Sequence, residues 1–160
     1  MSARQPFLSD AERAAVAELR GHYPDGHAAI VEALKAVQRE RRWVPDEAVP
    51  ELGDLLGVSP HEIDAAATFY SRIFRRPVGR HVISVCDSVS CWIMGYDGLR
   101  RALEAELGIR YGETTADGRF TLLPNCCLGA CHRAPAMLVD RDLHEAVDPG
   151  RLRALLADYG

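Results

Sequence analysis

The cysteines of this chain form two close pairs, and their placement constrains the fold more than any other feature. Four residues separate Cys86 from Cys91, and three separate Cys127 from Cys131. The 35 residues between the pairs have the patterns of a helix and a strand. Each pair lies in a loop that follows a predicted strand, which gathers four thiols at one edge of a small α/β unit. In an intracellular chain, four convergent thiolates indicate a metal site far more often than disulfides.

The spacing of the pairs favours a [2Fe–2S] cluster and leaves a single zinc ion as the alternative. Structural zinc commonly takes pairs with two residues between the cysteines, so spacings of four and three are less typical of it. A two-iron cluster is larger than one ion, and wider spacing suits one cysteine pair per iron. A plant-type ferredoxin would have a cysteine in place of Met94, a Rieske protein needs two histidine ligands, and a thioredoxin-type dithiol needs a C-x-x-C motif. The sequence has none of these three patterns.

Residues beside the cysteines carry weaker signals. Cys126 and Cys131 repeat the spacing of the first pair, so spacing alone cannot choose between Cys126 and Cys127 as the ligand. Trp92 is expected either to shield the site or to pack as an ordinary core residue. His132 is expected to be a surface residue and not a ligand, and so is His81 at the start of a strand. The groups expected to hydrogen-bond to the cluster sulfurs belong to Ser88, Ser90, Gly129 and Ala130, with Arg133 as a nearby positive charge.

The composition is ordinary for a globular protein with a real core. Of the 160 residues, 48% are apolar and 26% are charged, and the net charge is −4. Neither half of the chain is basic, so charge gives no support to nucleic-acid binding. The first residues lack the apolar run of a signal peptide, and no apolar stretch approaches the roughly 20 residues of a membrane span. We therefore expect a soluble, cytoplasmic chain without direct membrane insertion.

The sequence pattern changes at residues 75–80, where we place the boundary between two parts. Residues 1–76 are expected to form an N-terminal helical bundle that serves as a docking segment, with a self-contained core as the alternative. Residues 77–160 have the order β-α-β-β-α, which fits a small sheet with helices against it. The predicted fold class is therefore α+β, with the helical bundle followed by a thioredoxin-like α/β [2Fe–2S] ferredoxin domain.

The predicted elements follow from local signals. Capping boxes at Ser9 and Ser59 begin the first and fourth of four helices, and the fourth is expected to carry Ile73. The region around Gly57 also resembles a helix-turn-helix, but any two short helices around a glycine produce that pattern. In the second part, the strands are predicted at 81–85, 120–123 and 136–139, and the helices around 99–107 and 152–156.

Several segments together resemble one known family. The cysteine segments Val85–Cys91 and Cys127–Pro135, together with Ala67–Tyr70, Pro77–Gly79 and Asp117–Pro124, are similar to the small iron–sulfur subunit of NADH–quinone oxidoreductase. In bacterial respiratory complex I this component is called the E subunit. The resemblance extends from about residue 10 onward. It implies a thioredoxin-like domain with a helical N-terminal extension, holding one [2Fe–2S] cluster.

The resemblance also implies ligands, partners and location. The matching ligands are Cys86, Cys91, Cys127 and Cys131, with Cys126 as a neighbour. A partner flavoprotein subunit would bind NADH and FMN, and further subunits of the peripheral arm would hold the chain at the cytoplasmic face of the inner membrane. The chain itself has neither a G-x-G-x-x-G motif nor a P-loop, so we expect an electron carrier without its own substrate site.

Other functions stay open from the sequence alone. The same module occurs in soluble NAD-dependent formate dehydrogenases and bidirectional hydrogenases. An iron–sulfur-sensing DNA-binding regulator would read DNA with residues 46–74, although the acidic charge balance argues against it. A zinc-stabilised structural subunit would have no redox role at all.

Overall fold

The computed structural model describes residues 6–160. The prediction that the first residues are not a signal peptide falls mainly on residues 1–5, which lie outside the described range. The chain forms two compact units with the boundary between Pro77 and Val78. Each unit has a hydrophobic core of its own. Within the described range, no helix is long and apolar enough to cross a membrane.

Four helices build the N-terminal unit, and two of them begin at the capping boxes that the sequence predicts. In each box a serine hydroxyl accepts the N–H of a glutamate three residues later, and the glutamate carboxylate accepts the serine N–H. Ser9 pairs in this way with Glu12, and Ser59 with Glu62. The helices are α1 Asp10–His22, α2 Gly26–Arg41, α3 Ala48–Leu56 and α4 Pro60–Phe69.

The fourth helix is shorter than predicted, because α4 ends at Phe69 and does not reach Ile73. Hydrogen bonds to Gln38 of α2 draw the following residues out of the helix. The Gln38 side-chain oxygen accepts the N–H of Phe74 at 2.7 Å, and its amide donates to the carbonyl of Arg72 at 2.8 Å. Ile73 is nevertheless buried in the core. Its apolar character therefore indicated burial correctly and helix incorrectly.

The C-terminal unit is a four-stranded mixed sheet with helices. The strands are β1 His81–Cys86, β2 Phe120–Asn125, β3 Met137–Val139 and β4 Asp142–His144. Their order in the sheet is β2-β1-β3-β4, with β1 parallel to β2 and antiparallel to β3, and β3 antiparallel to β4. The helices are α5 Val89–Ile93, α6 Tyr96–Leu107 and α7 Leu152–Ala157, with single 3₁₀ turns at Cys131–Arg133 and Pro149–Arg151.

This architecture confirms the predicted α+β class and the order of three strands and two longer helices. Two short elements were not predicted. The three-residue strand β4 follows a tight turn in which Asp140 has a φ of 54°, and a strand so short has too few alternations to be recognised. Helix α5 has only five residues, fewer than two turns, so it has no apolar periodicity to recognise.

Apolar side chains of the strands and helices form the core of the C-terminal unit. The strands contribute Ile83, Val85, Leu122 and Met137, and α6 contributes Leu99 and Leu103, all fully buried. Helix α7 closes this core with Leu152 and Leu156. The packing holds β1 and β2 side by side, which decides where the loops that follow them begin.

Among the described residues of the N-terminal unit, one charged side chain is buried. Glu12 is 2% exposed, and its two carboxylate oxygens accept hydrogen bonds from the Arg41 guanidinium at 2.5 and 2.6 Å. Arg41 also donates to the carbonyl of Phe7 at 3.0 Å. The contact with Arg41, which outweighs the opposing effect of burial, lowers the pKa of Glu12 below its usual range. The pair ties α1, α2 and the residues before α1 together.

Replacing Glu12 by glutamine is expected to destabilise the N-terminal unit by about 2 kcal/mol at neutral pH, because Arg41 loses its charged partner. Folding lowers the pKa of Glu12, so the carboxylate stabilises the unit above the unfolded-state pKa of about 4.3. That contribution is lost as the pH falls through the lower folded-state pKa. Urea unfolding followed by circular dichroism should therefore give a lower free energy of unfolding for Glu12→Gln than for the native chain. This difference should become smaller in acid.

Glu18→Gln is the matched control, because Glu18 lies on the same helix and is exposed. It should leave the free energy of unfolding within about 0.5 kcal/mol of the native value. A difference for Glu12→Gln that does not change with pH would contradict the proposed role of its charge.

Candidate metal centre

The parallel pairing of β1 with β2 brings the two cysteine loops to the same edge of the sheet. In this register His81 lies opposite Phe120, and Cys86 lies opposite Asn125. The two strands therefore end at the same level. Cys86 is the last residue of β1, and the loop after Asn125 carries the second cysteine pair. The convergence that the sequence predicts at this edge is present in the structure.

The first pair is buried. Cys86 is 2% exposed and Cys91 is 1% exposed, although α5 runs along the surface between Ser88 and Met94. Burial raises the pKa of Cys91 to about 11, and the neighbouring Cys86 thiol acts in the same direction, whereas the backbone N–H of Ala136 opposes it. The raised pKa favours the neutral thiol, and a cation beside it would favour the thiolate.

The second pair is exposed and close together. The Sγ atoms of Cys127 and Cys131 lie 3.4 Å apart, and the N–H of Gly129 donates to the Cys127 Sγ at 3.4 Å. Gly129 has a φ of +83°, a conformation that side chains disfavour and that turns its N–H towards the sulfur. The Gly129 N–H is the main cause that lowers the pKa of Cys127, and the Cys127 thiol is the main cause that raises the pKa of Cys131.

Cys86 links the two pairs. Its thiol acts on the pKa values of Cys91, Cys127 and Cys131, so these four side chains lie within reach of one another. Cys127 is in contact with Cys131, and Cys126 is an exposed neighbour in the same loop. The assignment of Cys127 as the ligand stays a prediction, which substitution of the single cysteines can test.

The chemistry of the donor set fits a [2Fe–2S] cluster. Two pairs of cysteine thiols lie at one edge of the sheet, and such a cluster takes one pair of thiolates on each iron. A tetrahedral zinc ion would instead hold all four sulfurs at about 2.3 Å from one centre. Within residues 6–160, no group of three or more histidine, cysteine, aspartate or glutamate side chains is arranged to hold one metal ion.

The neighbouring side chains follow the sequence predictions in part. The Ser90 hydroxyl lies near the Cys131 thiol and lowers its pKa, in the direction expected for a donor in the first loop. His132 and Arg133 are exposed and lie 3.7 and 3.6 Å from the Glu145 carboxylate, so His132 is a surface residue, as predicted. His81 pairs with Asp140 at 2.7 Å. His81 is the first residue of β1, and Cys86 is the last.

The exposure of Trp92 decides against one of its two alternatives, and helix α5 was not predicted. Trp92 is 61% exposed, so it is not a packing residue, and its role as a shield of the site stays a prediction. The loop between the first two cysteines is a short helix, which directs Cys91 inward and Trp92 outward. The proline-free run of apolar residues after Ser88 is the one signal that could have indicated this helix.

A mixed sheet with two pairs of thiols at one edge agrees with the thioredoxin-like [2Fe–2S] fold that the sequence resemblance implies. Comparison with known sequences agrees. Residues 16–160 match the profile of the family described as thioredoxin-like [2Fe–2S] ferredoxin. The curated relatives include the E subunit of NADH-quinone oxidoreductase from Salmonella typhimurium, 53% identical over 95% of this chain and 92% of the relative. The protein of the same name in Pseudomonas aeruginosa is 51% identical over the same shares of the two chains.

Comparison with solved structures gives the same fold. An NAD⁺-reducing [NiFe]-hydrogenase in its H₂-reduced state aligns with a TM-score of 0.65 and 31% identity over 79% of this chain. The chain spans 22% of that hydrogenase chain, so the similar unit there is one part of a longer polypeptide.

The present chain belongs to the thioredoxin-like [2Fe–2S] ferredoxin family, in the branch formed by the E subunits of NADH-quinone oxidoreductases. The family and the thioredoxin-like fold predicted from the sequence are thereby confirmed.

Proposed function

We propose that this chain is the electron-carrying [2Fe–2S] subunit of an NADH-quinone oxidoreductase, with Cys86, Cys91, Cys127 and Cys131 as the cluster ligands. The observation that carries the proposal is the delivery of two thiol pairs to one edge by the parallel strands β1 and β2. When bound, the cluster exchanges one electron at a time and offers no open position for a substrate. The chain is thus one subunit of an oxidoreductase, and by itself it is an electron carrier without a substrate site.

The protein groups around the thiols have distinct tasks. Cys86 and Cys91 bind from the buried side and keep water away from that half of the site. Cys127 and Cys131 bind from the exposed side, which leaves an edge that a partner can approach. The Gly129 N–H donates to the Cys127 sulfur, and the Ser90 hydroxyl lowers the pKa of Cys131. Both groups would stabilise the negative charge that an added electron brings.

The electron is exchanged with FMN on a partner flavoprotein subunit, which also binds NADH. Two features support this division. The sequence has no glycine-rich nucleotide motif of its own. The relatives are named as subunits of an NADH-quinone oxidoreductase, and a fold neighbour reduces NAD⁺ as a longer polypeptide. Further peripheral-arm subunits then hold the chain at the cytoplasmic face of the inner membrane.

A second candidate is the equivalent subunit of a soluble hydrogenase or NAD-dependent formate dehydrogenase. The fold similarity to the NAD⁺-reducing hydrogenase favours it, at 31% identity. Relatives at 53% identity over 95% of the chain favour the quinone reductase. Neighbouring genes for membrane quinone-reductase subunits would support the first context, and genes for nickel or molybdenum enzymes would support the second.

A DNA-binding regulator is less favoured by the N-terminal unit. The start of α4 would have to enter the DNA groove, yet it carries the acidic side chains Glu62 and Asp64. These carboxylates are already bound, because Glu62 contacts His27 at 2.8 Å and Asp64 contacts Arg75 at 2.7 Å. We instead assign this unit as a docking segment, supported by Phe69, which is 80% exposed at the end of α4. Exposed aromatic side chains are enriched at protein interfaces.

Visible absorption and EPR spectra of the anaerobically purified chain, with iron and zinc analysis, test the proposed cofactor. We expect two irons per chain, a visible band that bleaches with dithionite, and an EPR signal in the reduced state. NADH should bleach the band only when the flavoprotein is added, because the chain has no NADH site. A colourless chain with one zinc and no iron would overturn the proposal.

Substitution of single cysteines tests the ligand assignment. Cys127→Ser is expected to lose the visible band and its iron, because Cys127 lies 3.4 Å from Cys131 and interacts with Cys86. Cys126→Ser is the matched control and should keep both. The reverse outcome would make Cys126 the ligand.

Deletion of the N-terminal unit tests the docking segment. A chain that begins at Val78 should keep its visible band, because all four thiols and the sheet that positions them lie within residues 78–160. It should no longer co-purify with a tagged flavoprotein, whereas the full chain does. Undiminished co-purification of the shortened chain would contradict the assignment.

A further inference from the structure

Helix α5 exposes an unusual number of large apolar side chains. Val89, Trp92, Ile93 and Met94 are exposed by 66, 61, 70 and 60%, respectively. Within residues 6–160, eight large apolar side chains are exposed, and half of them lie in this run of six residues. We call these four side chains the α5 face.

The outward side of α5 is apolar, unlike that of an ordinary surface helix. Its inward side chain is the thiol of Cys91, whereas Val89, Trp92 and Ile93 are exposed. Apolar patches on soluble monomers seldom exceed a few hundred Å², and the largest one often binds another molecule. Trp and Met are also among the residues enriched at interfaces. The α5 face is therefore suited to burial against another molecule.

Charge distinguishes a protein partner from a lipid surface. No charged residue lies between Asp87 and Asp97, and both of these flanking residues are acidic. Anionic membranes attract basic flanks and repel acidic ones. A protein surface with an apolar centre and basic residues around it would complement the α5 face.

The position of α5 next to the thiols selects the partner. The helix carries Cys91, which is buried in one cluster with Cys86 and Ala130. Any molecule that covers the α5 face therefore lies directly beside the cluster site. Electron exchange requires the flavin of the flavoprotein to lie close to the cluster site, so a flavoprotein must bind beside it. A second copy of the chain has no such requirement.

The area of the α5 face fits the centre of such an interface and not the whole of it. A stable interface buries about 800 Å² on each partner. Four exposed side chains supply roughly a few hundred Å², which leaves room for a polar rim and for contacts of the docking segment.

We propose that the α5 face is the apolar centre of the contact by which the flavoprotein covers the iron–sulfur site, meeting there an apolar surface with a basic rim. This inference rests on the proposed function, because the partner is the flavoprotein assigned above. It adds the particular surface through which the two proteins meet.

The test compares the full-length, cluster-loaded chain with its Ile93→Glu variant. Leu143→Glu is the matched control, because Leu143 is also an exposed apolar residue of the same unit, on β4. The Kd for the purified, FMN-loaded flavoprotein is measured by interferometry, and the visible and EPR spectra of each variant are recorded first. We expect Ile93→Glu to keep the spectra and to raise the Kd at least tenfold, as a charge at the centre of an interface does. The control should bind like the native chain.

A second measurement needs no substitution. Amide hydrogen exchange of the native chain should slow at residues 89–94 when the flavoprotein is added. Unchanged exchange there, or an unchanged Kd for Ile93→Glu, would overturn the inference. So would a native chain that self-associates through this face and still binds the flavoprotein after Ile93→Glu. A native chain without iron would instead refute the proposed function, so the two failures are distinguishable.

Discussion

The rest of the C-terminal unit depends on the parallel pairing of β1 with β2. The register sets Cys86 opposite Asn125, so both cysteine loops begin at one level of the sheet. A slip of one residue would turn the buried side chains of either strand to the wrong face. The apolar core that buries Ile83 and Leu122 therefore also holds the thiols in register. Packing energy and the geometry of the site are fixed by the same contacts.

The site divides into a sheltered half and an accessible half. The thiols of Cys86 and Cys91 are buried, whereas those of Cys127 and Cys131 reach the surface. This asymmetry suits an electron carrier, which needs both low local polarity and access for a partner. Low polarity requires burial and access requires exposure, so one side of the site cannot provide both. The chain meets the two needs on opposite sides of one site. All four thiols lie in the C-terminal unit, which leaves the N-terminal unit free to serve association.

The sequence predicted the parts of the fold that depend on local interactions. The capping boxes at Ser9 and Ser59 predicted two helix starts to the residue, because they depend on local hydrogen bonds. The end of α4 could not be predicted, because Gln38, more than thirty residues away, draws the chain out of the helix.

The candidate site shows the same division between local and distant causes. The spacing of the cysteines indicated a metal centre, and a family resemblance supplied the ligand set. Spacing left Cys126 and Cys127 equivalent, because the choice depends on where a loop with a left-handed Gly129 directs each thiol. The apolar α5 face was missed for a different reason. An apolar run in sequence indicates burial. In α5 the buried side chain is Cys91, so its apolar neighbours lie on the outward side of the helix.

The crossover between β1 and β2 also has a consequence for the order of events in biosynthesis. Parallel strands cannot be joined by a tight turn, and here α5, α6 and their flanking loops make the connection. Pairing between strands so distant in the chain raises the contact order and slows folding. The two thiol pairs share one edge only where β1 and β2 are paired, so we expect the chain to retain its cofactor only once this sheet has formed.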